Sequence, residues 1–429
     1  MNQRLAVPAD GTATPITGRW HGNPHHGRAT GRIAGRRPRL PRLPRPAAFY
    51  LLASIVLFFL AGSSAPTPLY DYYAGVWGFS PIMITVVFGI YALAVLASLL
   101  VAGSLSDHVG RRPVLLVALA AQAVTMALFS TAGGVDELIA ARVLQGLSTG
   151  AALGAIGAGM LDLNRRRGTT ANSVAPLLGT AAGAIGSGVL VQYLPAPTHL
   201  VYLALLTIFV AQGVGVALMD EPATPRPGAL ASLRLRLAVP DDVRRPLLLA
   251  IPALVAIWSL PGFYGSLGPS LVGRLVGSSS YVLGGLALAT LAASAVLAVV
   301  LARAAAPRRL MRLASVLLLG GVGLTLLAVD ARSGVWFFAG TVLAGLGFGA
   351  GFQAALGSVL PLAAEHERAG VLSVVYTVSY LSMGLPAVIA GVLVVDGGGV
   401  LATAREYSVA VMVLAGLALL GVVRRPAIA

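Results

Sequence analysis

Two stretches of the chain hold residues whose types and spacing can do chemistry. The first is Gly103-Ser-Leu-Ser-Asp107-His-Val-Gly110-Arg111-Arg112-Pro113. A carboxylate one turn ahead of two guanidinia can pair with an arginine or face the positive N-terminal end of a neighbouring helix. Gly103 and Gly110 permit close approach and a tight turn. The chemistry is that of a charged latch able to hold two bundles together, or of a basic loop that only fixes topology. The second is Arg142-Val-Leu-Gln145-Gly146, set inside an apolar run. A guanidinium keeps its proton, and inside a membrane it is costly and marks function, facing a cavity or a carboxylate. The alternative is an arginine whose long stem carries its charge back to the outer interface.

Weaker signals lie around these two. Gly179, Gly183, Ala184, Gly186 and Gly188 place small residues at close spacing, as helices need for tight packing. Pro66 and Pro68 interrupt a helix just before Asp71, the acid nearest the membrane on the outer side of the first half. Asp71 is a candidate for the titrating carboxylate, or else a solvated interfacial residue. Asp162 and Glu365 read as partners for nearby arginines. Tyr91, Trp258, Tyr264, Gln353, Tyr376 and Tyr380 are polar or aromatic residues inside apolar runs and are the candidate lining of a central cavity. Tyr376 and Tyr380, four apart, share a helix face. Pro386 after Gly384 marks a bend.

The elements that carry these residues follow from composition. Of 429 residues, 57% are hydrophobic and 10% charged, against about 25% charged in a soluble domain, and the mean hydropathy is +0.85. A water-facing exterior could not be built from so few charges, whereas a lipid-facing one can. Apolar runs long enough for the ~30 Å hydrocarbon core occur at 48–69, 81–103, 113–132, 137–161, 171–193, 199–219, 247–267, 281–303, 310–329, 334–358, 371–395 and 404–423. The reading is an all-α membrane protein of twelve transmembrane helices. Residues 1–46 form an Arg/Pro-rich tail without hydrophobic period, expected to be disordered. Its His21, His25 and His26 read as solvated residues rather than a metal site. Residues 47–219 and 247–429 each hold six helices, joined by a linker at 220–246.

All 30 cations are arginines, and the net charge is +15. Their distribution follows topology rather than a nucleic-acid groove. With the N-terminus in the cytoplasm, 26 of the 30 arginines fall on the cytoplasmic side, which places both termini there. Absent cysteine excludes disulfides and thiolate chemistry. Two segments repeat across the linker: Gly146-Leu-Ser-Thr-Gly150 with Gly345-Leu-Gly-Phe-Gly349, and Gly188-Val-Leu-Val with Gly391-Val-Leu-Val. The offsets are 199 and 203, so helix n matches helix n+6 in two parallel repeats.

The segment 103–112 resembles the loop 2–3 signature of the major facilitator superfamily, G-x-L-x-D-x-x-G-R-R, and the resemblance extends over 48–423. It implies two pseudo-symmetric six-helix bundles around a central cavity, working by alternating access, and a monomer. Arg142, Gln145 and Gly146 resemble the fourth-helix R-x-x-Q-G motif of proton-coupled members, which implies a coupling role for Arg142. The fifth-helix glycines resemble the antiporter motif G-x-x-x-G-P-x-x-G-G, departing from it at Ala184 and Ser187. The later loop Arg303-Ala-Ala-Ala-Pro-Arg308-Arg309 keeps only the basic residues of the signature. No phosphate loop, nucleophile elbow or metal motif is present in the sequence, so neither an enzyme nor a cofactor is expected. The expected function is proton-coupled efflux of a small amphipathic or lipophilic solute across a bacterial inner membrane. Uptake of a metabolite by symport is the alternative within the same fold, and a non-transporting receptor or scaffold is the alternative outside it.

Overall fold

In lipid every backbone N–H and C=O must find its partner within the segment, so each apolar run closes on itself as a helix. The computed structural model describes residues 42–224, 226–233, 239–364 and 367–424. Among the described residues, twelve helices are long and apolar enough to cross a membrane. Spans 1 to 6 are Arg45–Trp77, Pro81–Ala102, Arg111–Thr131, Val135–Leu163, Arg165–Tyr193 and Pro197–Ala217. Spans 7 to 12 are Asp241–Ser266, Tyr281–Leu301, Pro307–Ala331, Gly334–Leu362, Arg368–Asp396 and Val400–Val423. His21, His25, His26 and Glu365 lie outside the described residues, as does nearly all of the tail at 1–46.

Prolines set several boundaries. Spans 2, 6 and 9 begin on Pro81, Pro197 and Pro307, where a missing N–H costs nothing and φ is already helical. In span 1, Pro66 and Pro68 stop the helix Arg45–Ser64; a 3₁₀ turn, Thr67–Leu69, then leads into the short helix Tyr70–Trp77. The apolar run alone predicts one helix through Leu69, and the prolines divide it there. Span 7 tolerates Pro246, Pro252 and Pro261 and is likewise followed by a short helix, Gly268–Val276. Gly78 and Gly277 end these two short helices with φ of 69° and 67°, the left-handed cap that glycine adopts without strain.

The two sets of six spans share one plan. Span 4 packs on span 2, and span 10 on span 8. An added Cβ at Gly150 would lie 2.4 Å from the Val95 carbonyl oxygen, and one at Gly349 would lie 2.3 Å from that of Ala295. The repeated glycines are therefore the places where paired helices touch backbone to backbone. The halves meet along spans 5 and 8 and along spans 11 and 2. Gly188 abuts the Tyr281 carbonyl at the start of span 8, and Gly391 abuts Thr85 near the start of span 2. Two other fifth-span glycines serve the first half: Gly179 faces the Leu57 carbonyl and Gly183 that of Ala61.

Three hydrogen bonds join the halves among the described residues, all at the end away from the chain termini. Thr67 Oγ1 donates to the Gly265 carbonyl (3.1 Å), Ser270 Oγ to Asp71 Oδ1 (2.6 Å), and the Tyr281 amide to Gln192 Oε1 (2.9 Å). Tyr72 and Tyr281 add an edge-on ring contact at 6.4 Å.

Candidate functional site

Arg142 lies two turns into span 4 and is fully buried, at 0% exposure. The interfacial alternative for it is thereby removed. Nη1 donates to the Ser63 carbonyl (2.8 Å) and to Gln145 Oε1 (2.6 Å), and Nη2 donates to the Tyr70 hydroxyl. The guanidinium carbon stands 5.3 Å from the Tyr91 ring and 5.6 Å from those of Tyr70 and Phe129. Each desolvated ring face offers about 2 kcal/mol of attraction to a cation. Among the described residues no carboxylate lies within 4 Å of it. The charge is held by carbonyl, amide and hydroxyl dipoles and by π faces, and its Nε has no partner among the described residues.

Local geometry explains why the charge is held there. The kink at Pro66 ends the first helix at Ser64 and lets the next begin at Tyr70. That bend leaves the Ser63 carbonyl and the Tyr70 hydroxyl on the same guanidinium. Gln145, three residues after Arg142, spends its amide on the Gly62 carbonyl (3.0 Å), so its oxygen faces the arginine. Gly146 brings span 4 against Tyr91, because a Cβ there would lie 2.7 Å from the Tyr91 carbonyl oxygen. The second half does not repeat the charge. Thr341 stands 199 residues after Arg142, and its hydroxyl pairs with Tyr264 at 3.1 Å. Tyr264 is thus a packed residue of the second half, 3% exposed and beside Phe337 at 5.7 Å. The structure does not group it with the other cavity candidates, because the hydroxyl expected to face a cavity already has its partner inside the half.

The remaining cavity candidates gather on the second half's side of the seam. Trp258 of span 7 lies 5.4 Å from both Tyr380 and Phe352 and 5.9 Å from Phe348. Tyr376 and Tyr380 are 6.5 Å apart. Tyr380 and Met383 belong to the same apolar cluster as Tyr91, so this aromatic group packs against the first half. Trp258 Nε1, Gln353 Oε1 and Ser379 Oγ are buried without partners among the described residues.

The loop signature forms a different cluster. Asp107 pairs with Arg111 one turn on. Arg111 Nη1 also donates to Ser106 Oγ (2.9 Å), and its Nε faces Asp162 Oδ2 at 3.4 Å. Arg112 Nη2 donates to the Ala217 carbonyl of span 6. Glu221, in the linker, caps span 3: its Oε1 accepts from the Arg111 amide (2.7 Å) and its Oε2 from the Arg112 amide (2.9 Å). Gly110, at φ 100°, makes the turn, and a Cβ there would lie 2.7 Å from Glu221 Oε2. Gly103 lies 2.4 Å from where a Cβ on Gly154 would stand, measured to its carbonyl oxygen. The cluster thus ties spans 2, 3, 4 and 6 and the linker together. Among the described residues no hydrogen bond or ion pair leads from it to the second half, so the expected latch between bundles is here a latch within one. The reason is local: Arg111 occupies Asp107, and Glu221 fills the anion position at the helix N-terminus.

Sequence reasoning missed several participants. Tyr70 was visible only as part of a run after the prolines. Phe129, Phe348, Phe352 and Ser270 look like ordinary span residues, and Glu221 sits far along the chain in a polar loop. None carries a local signal, because each acts through a contact between distant segments.

The family comparison settles the scaffold. The sequence model of the Major Facilitator Superfamily matches residues 51–385. This chain belongs to the major facilitator superfamily. Solved transporter structures show the same fold at low identity. The POT family transporter PepTSo superposes with a TM-score of 0.70 at 13% identity, covering 89% of this chain and 97% of its own. A point mutant of the nucleoside transporter NupG gives 0.67 at 11%, covering 89% and 98%. The human organic anion transporter MFSD10 (TETRAN) gives 0.63 at 18%, covering 88% and 100%. In sequence, the tetracenomycin C resistance and export protein of Streptomyces glaucescens is 38% identical over 108 residues, which are 24% of this chain and 20% of that protein. The chain therefore matches only about a fifth of that relative's length. This is a multi-pass membrane transporter.

Proposed function

We propose that the chain is a proton-coupled efflux antiporter for a small amphipathic or lipophilic organic solute. It would sit in a bacterial cytoplasmic membrane as a monomer with both termini inside. The observation that carries the reading is Arg142: a permanent charge, fully buried, facing no carboxylate among the described residues and framed by three aromatic rings. Such a charge is retained inside a membrane for function rather than for stability. Across the seam, Trp258, Tyr376 and Tyr380 offer apolar and π surface, while Trp258 Nε1, Gln353 Oε1 and Ser379 Oγ are buried polar atoms left unpaired among the described residues. A wall of aromatic faces with a few unpaired polar atoms suits a lipophilic solute better than a sugar. Efflux as the direction is supported by the relative named an export protein.

Roles follow from chemistry. A guanidinium keeps its proton, so Arg142 supplies constant charge and cannot carry the coupling proton. The titrating group is Asp71, the one carboxylate among the described residues hydrogen-bonded across the seam. It follows Tyr70, whose hydroxyl accepts from Arg142, so one short helix joins the fixed charge to the seam contact. With the far end closed by the Thr67, Asp71 and Gln192 contacts, the halves rock about the midplane to expose the solute site on alternate sides.

The test uses inverted membrane vesicles with an acidified lumen and a pH-sensitive dye. A panel of lipophilic compounds is added singly. Release of lumenal protons that requires the protein and disappears in Arg142→Ala supports antiport. Labelled solutes that cross without any proton release contradict it.

A further inference from the structure

Beyond the transport cycle, we propose that the ends of spans 1, 5 and 8 form a binding site for the headgroup of an anionic phospholipid. A groove of about 570 Å³ is lined there by Tyr50 of span 1, by Arg166, Arg167 and Leu178 of span 5, and by Arg303 just beyond span 8. A second hollow of about 370 Å³ shares Tyr50 and Arg167 and adds Arg45. Among the described residues no Asp or Glu lines either hollow. The four guanidinia make no ion pair among the described residues, and all four arginines are exposed. Three other arginines at this end are engaged within the protein: Arg111 by Asp107 and Asp162, Arg112 by the Ala217 carbonyl, Arg42 by Asp220. The four around the groove keep their charge for a ligand.

Depth and lining select the ligand. Arg45 and Arg166 are the first and second residues of their spans, and Arg303 follows Leu301, the last residue of span 8, by two. The charges stand where headgroups stand. Below them the groove is apolar: Tyr50 is 62% and Leu178 41% exposed, side chains that in a bilayer meet acyl chains. A free anion would use the arginines and leave this floor bare; a phospholipid uses both. Basic pockets between spans recognise anionic headgroups through charge-assisted bonds to phosphate. Because Arg166 and Arg167 belong to the first half and Arg303 to the second, the site is assembled across the seam.

The experiment measures binding of phosphatidylglycerol and of phosphatidylcholine to the purified full chain in detergent, by native mass spectrometry. The proposal expects phosphatidylglycerol to be preferred. It expects Arg166→Gln/Arg167→Gln/Arg303→Gln to weaken phosphatidylglycerol binding at least about tenfold, since each cation near an anionic surface contributes about fivefold. Arg244→Gln/Arg245→Gln, at the same end outside the groove, should leave the affinity unchanged. Equal weakening by both variants, an unchanged affinity in the triple variant, or inorganic phosphate competing at equal concentration overturns it. Should the triple variant fail to fold, Tyr50→Trp in nanodiscs decides: its added fluorescence, above that of the four native tryptophans, should be quenched more by brominated phosphatidylglycerol than by brominated phosphatidylcholine. Equal quenching overturns the proposal.

Discussion

Tyr70 and Asp71 are consecutive residues that serve opposite partners. The Tyr70 hydroxyl accepts from Arg142 inside the first half, and Asp71 accepts from Ser270 of the second half at 2.6 Å. The turn Thr67–Leu69 that precedes them is itself bonded across the seam, through Thr67 to the Gly265 carbonyl. A movement of the second half at this end is therefore felt directly by the residue that holds the buried charge.

Arg142→Ala removes a fixed charge and strips the Ser63 carbonyl, Gln145 Oε1 and the Tyr70 hydroxyl of their donor. Transport should fall at least about a hundredfold, with helicity retained. Arg142→Lys keeps the charge but not the planar fork that reaches three acceptors at once, and should fall about tenfold. Solute flux in proteoliposomes, with circular dichroism as the folding control, measures both. Full activity in Arg142→Lys would mean that charge alone suffices.

Asp71→Asn keeps a side chain able to accept from Ser270 but removes the titrating group. Solute should still bind and exchange between equal concentrations on the two sides, while a pH gradient should no longer drive it uphill. Equilibrium exchange and gradient-driven flux, measured on one preparation, separate these. Intact gradient-driven flux in Asp71→Asn places the coupling proton elsewhere.

Gly150→Ala would set a Cβ 2.4 Å from the Val95 carbonyl oxygen, and Gly349→Ala one 2.3 Å from that of Ala295. In both cases helix backbones must separate, at a cost of about 1–3 kcal/mol each. Gly186→Ala meets nothing within 4 Å and should be neutral. Thermal unfolding midpoints in detergent should drop by similar amounts for the first two and stay level for the third.

Glu221→Gln leaves one neutral acceptor oxygen for two amide donors at the start of span 3 and should cost about 1 kcal/mol of stability. Gly110→Ala should cost more. It strains a backbone at φ 100° and crowds Glu221 Oε2 at 2.7 Å. Combined with Glu221→Ala, Gly110→Ala should lose only the strain, so the double variant should be more stable than the two single losses added together. A purely additive result would show that the cap and the turn are independent.

Much of this was legible along the chain. Twelve apolar runs can only close as helices in lipid, and Pro66 with Pro68 announced the break in the first. Gly150 and Gly349 declared the repeat because close helix contacts need the smallest residue at fixed places. Arg142 stood out because a charge within an apolar run is costly. What it touches was not legible. Tyr70 reaches it from 72 residues away in sequence, and nothing local marks that tyrosine apart from Tyr72 or Tyr73. Glu221 read as one acid in a polar linker, and only the fold brings it to the amides of Arg111 and Arg112. Tyr264 shows the converse: a tyrosine inside a span signals a cavity or a packed hydroxyl equally well, and only the fold brings its hydroxyl to within 3.1 Å of that of Thr341.

The central claim is that solute and proton move in opposite directions through this chain. The most direct measurement is labelled-solute uptake into proteoliposomes with a set internal and external pH. The account predicts accumulation against the solute gradient when the lumen is acidic, collapse of that accumulation with a protonophore, and none of it with Arg142→Ala. Accumulation only when the outside is acidic would contradict antiport and establish symport, and flux indifferent to pH would contradict proton coupling altogether.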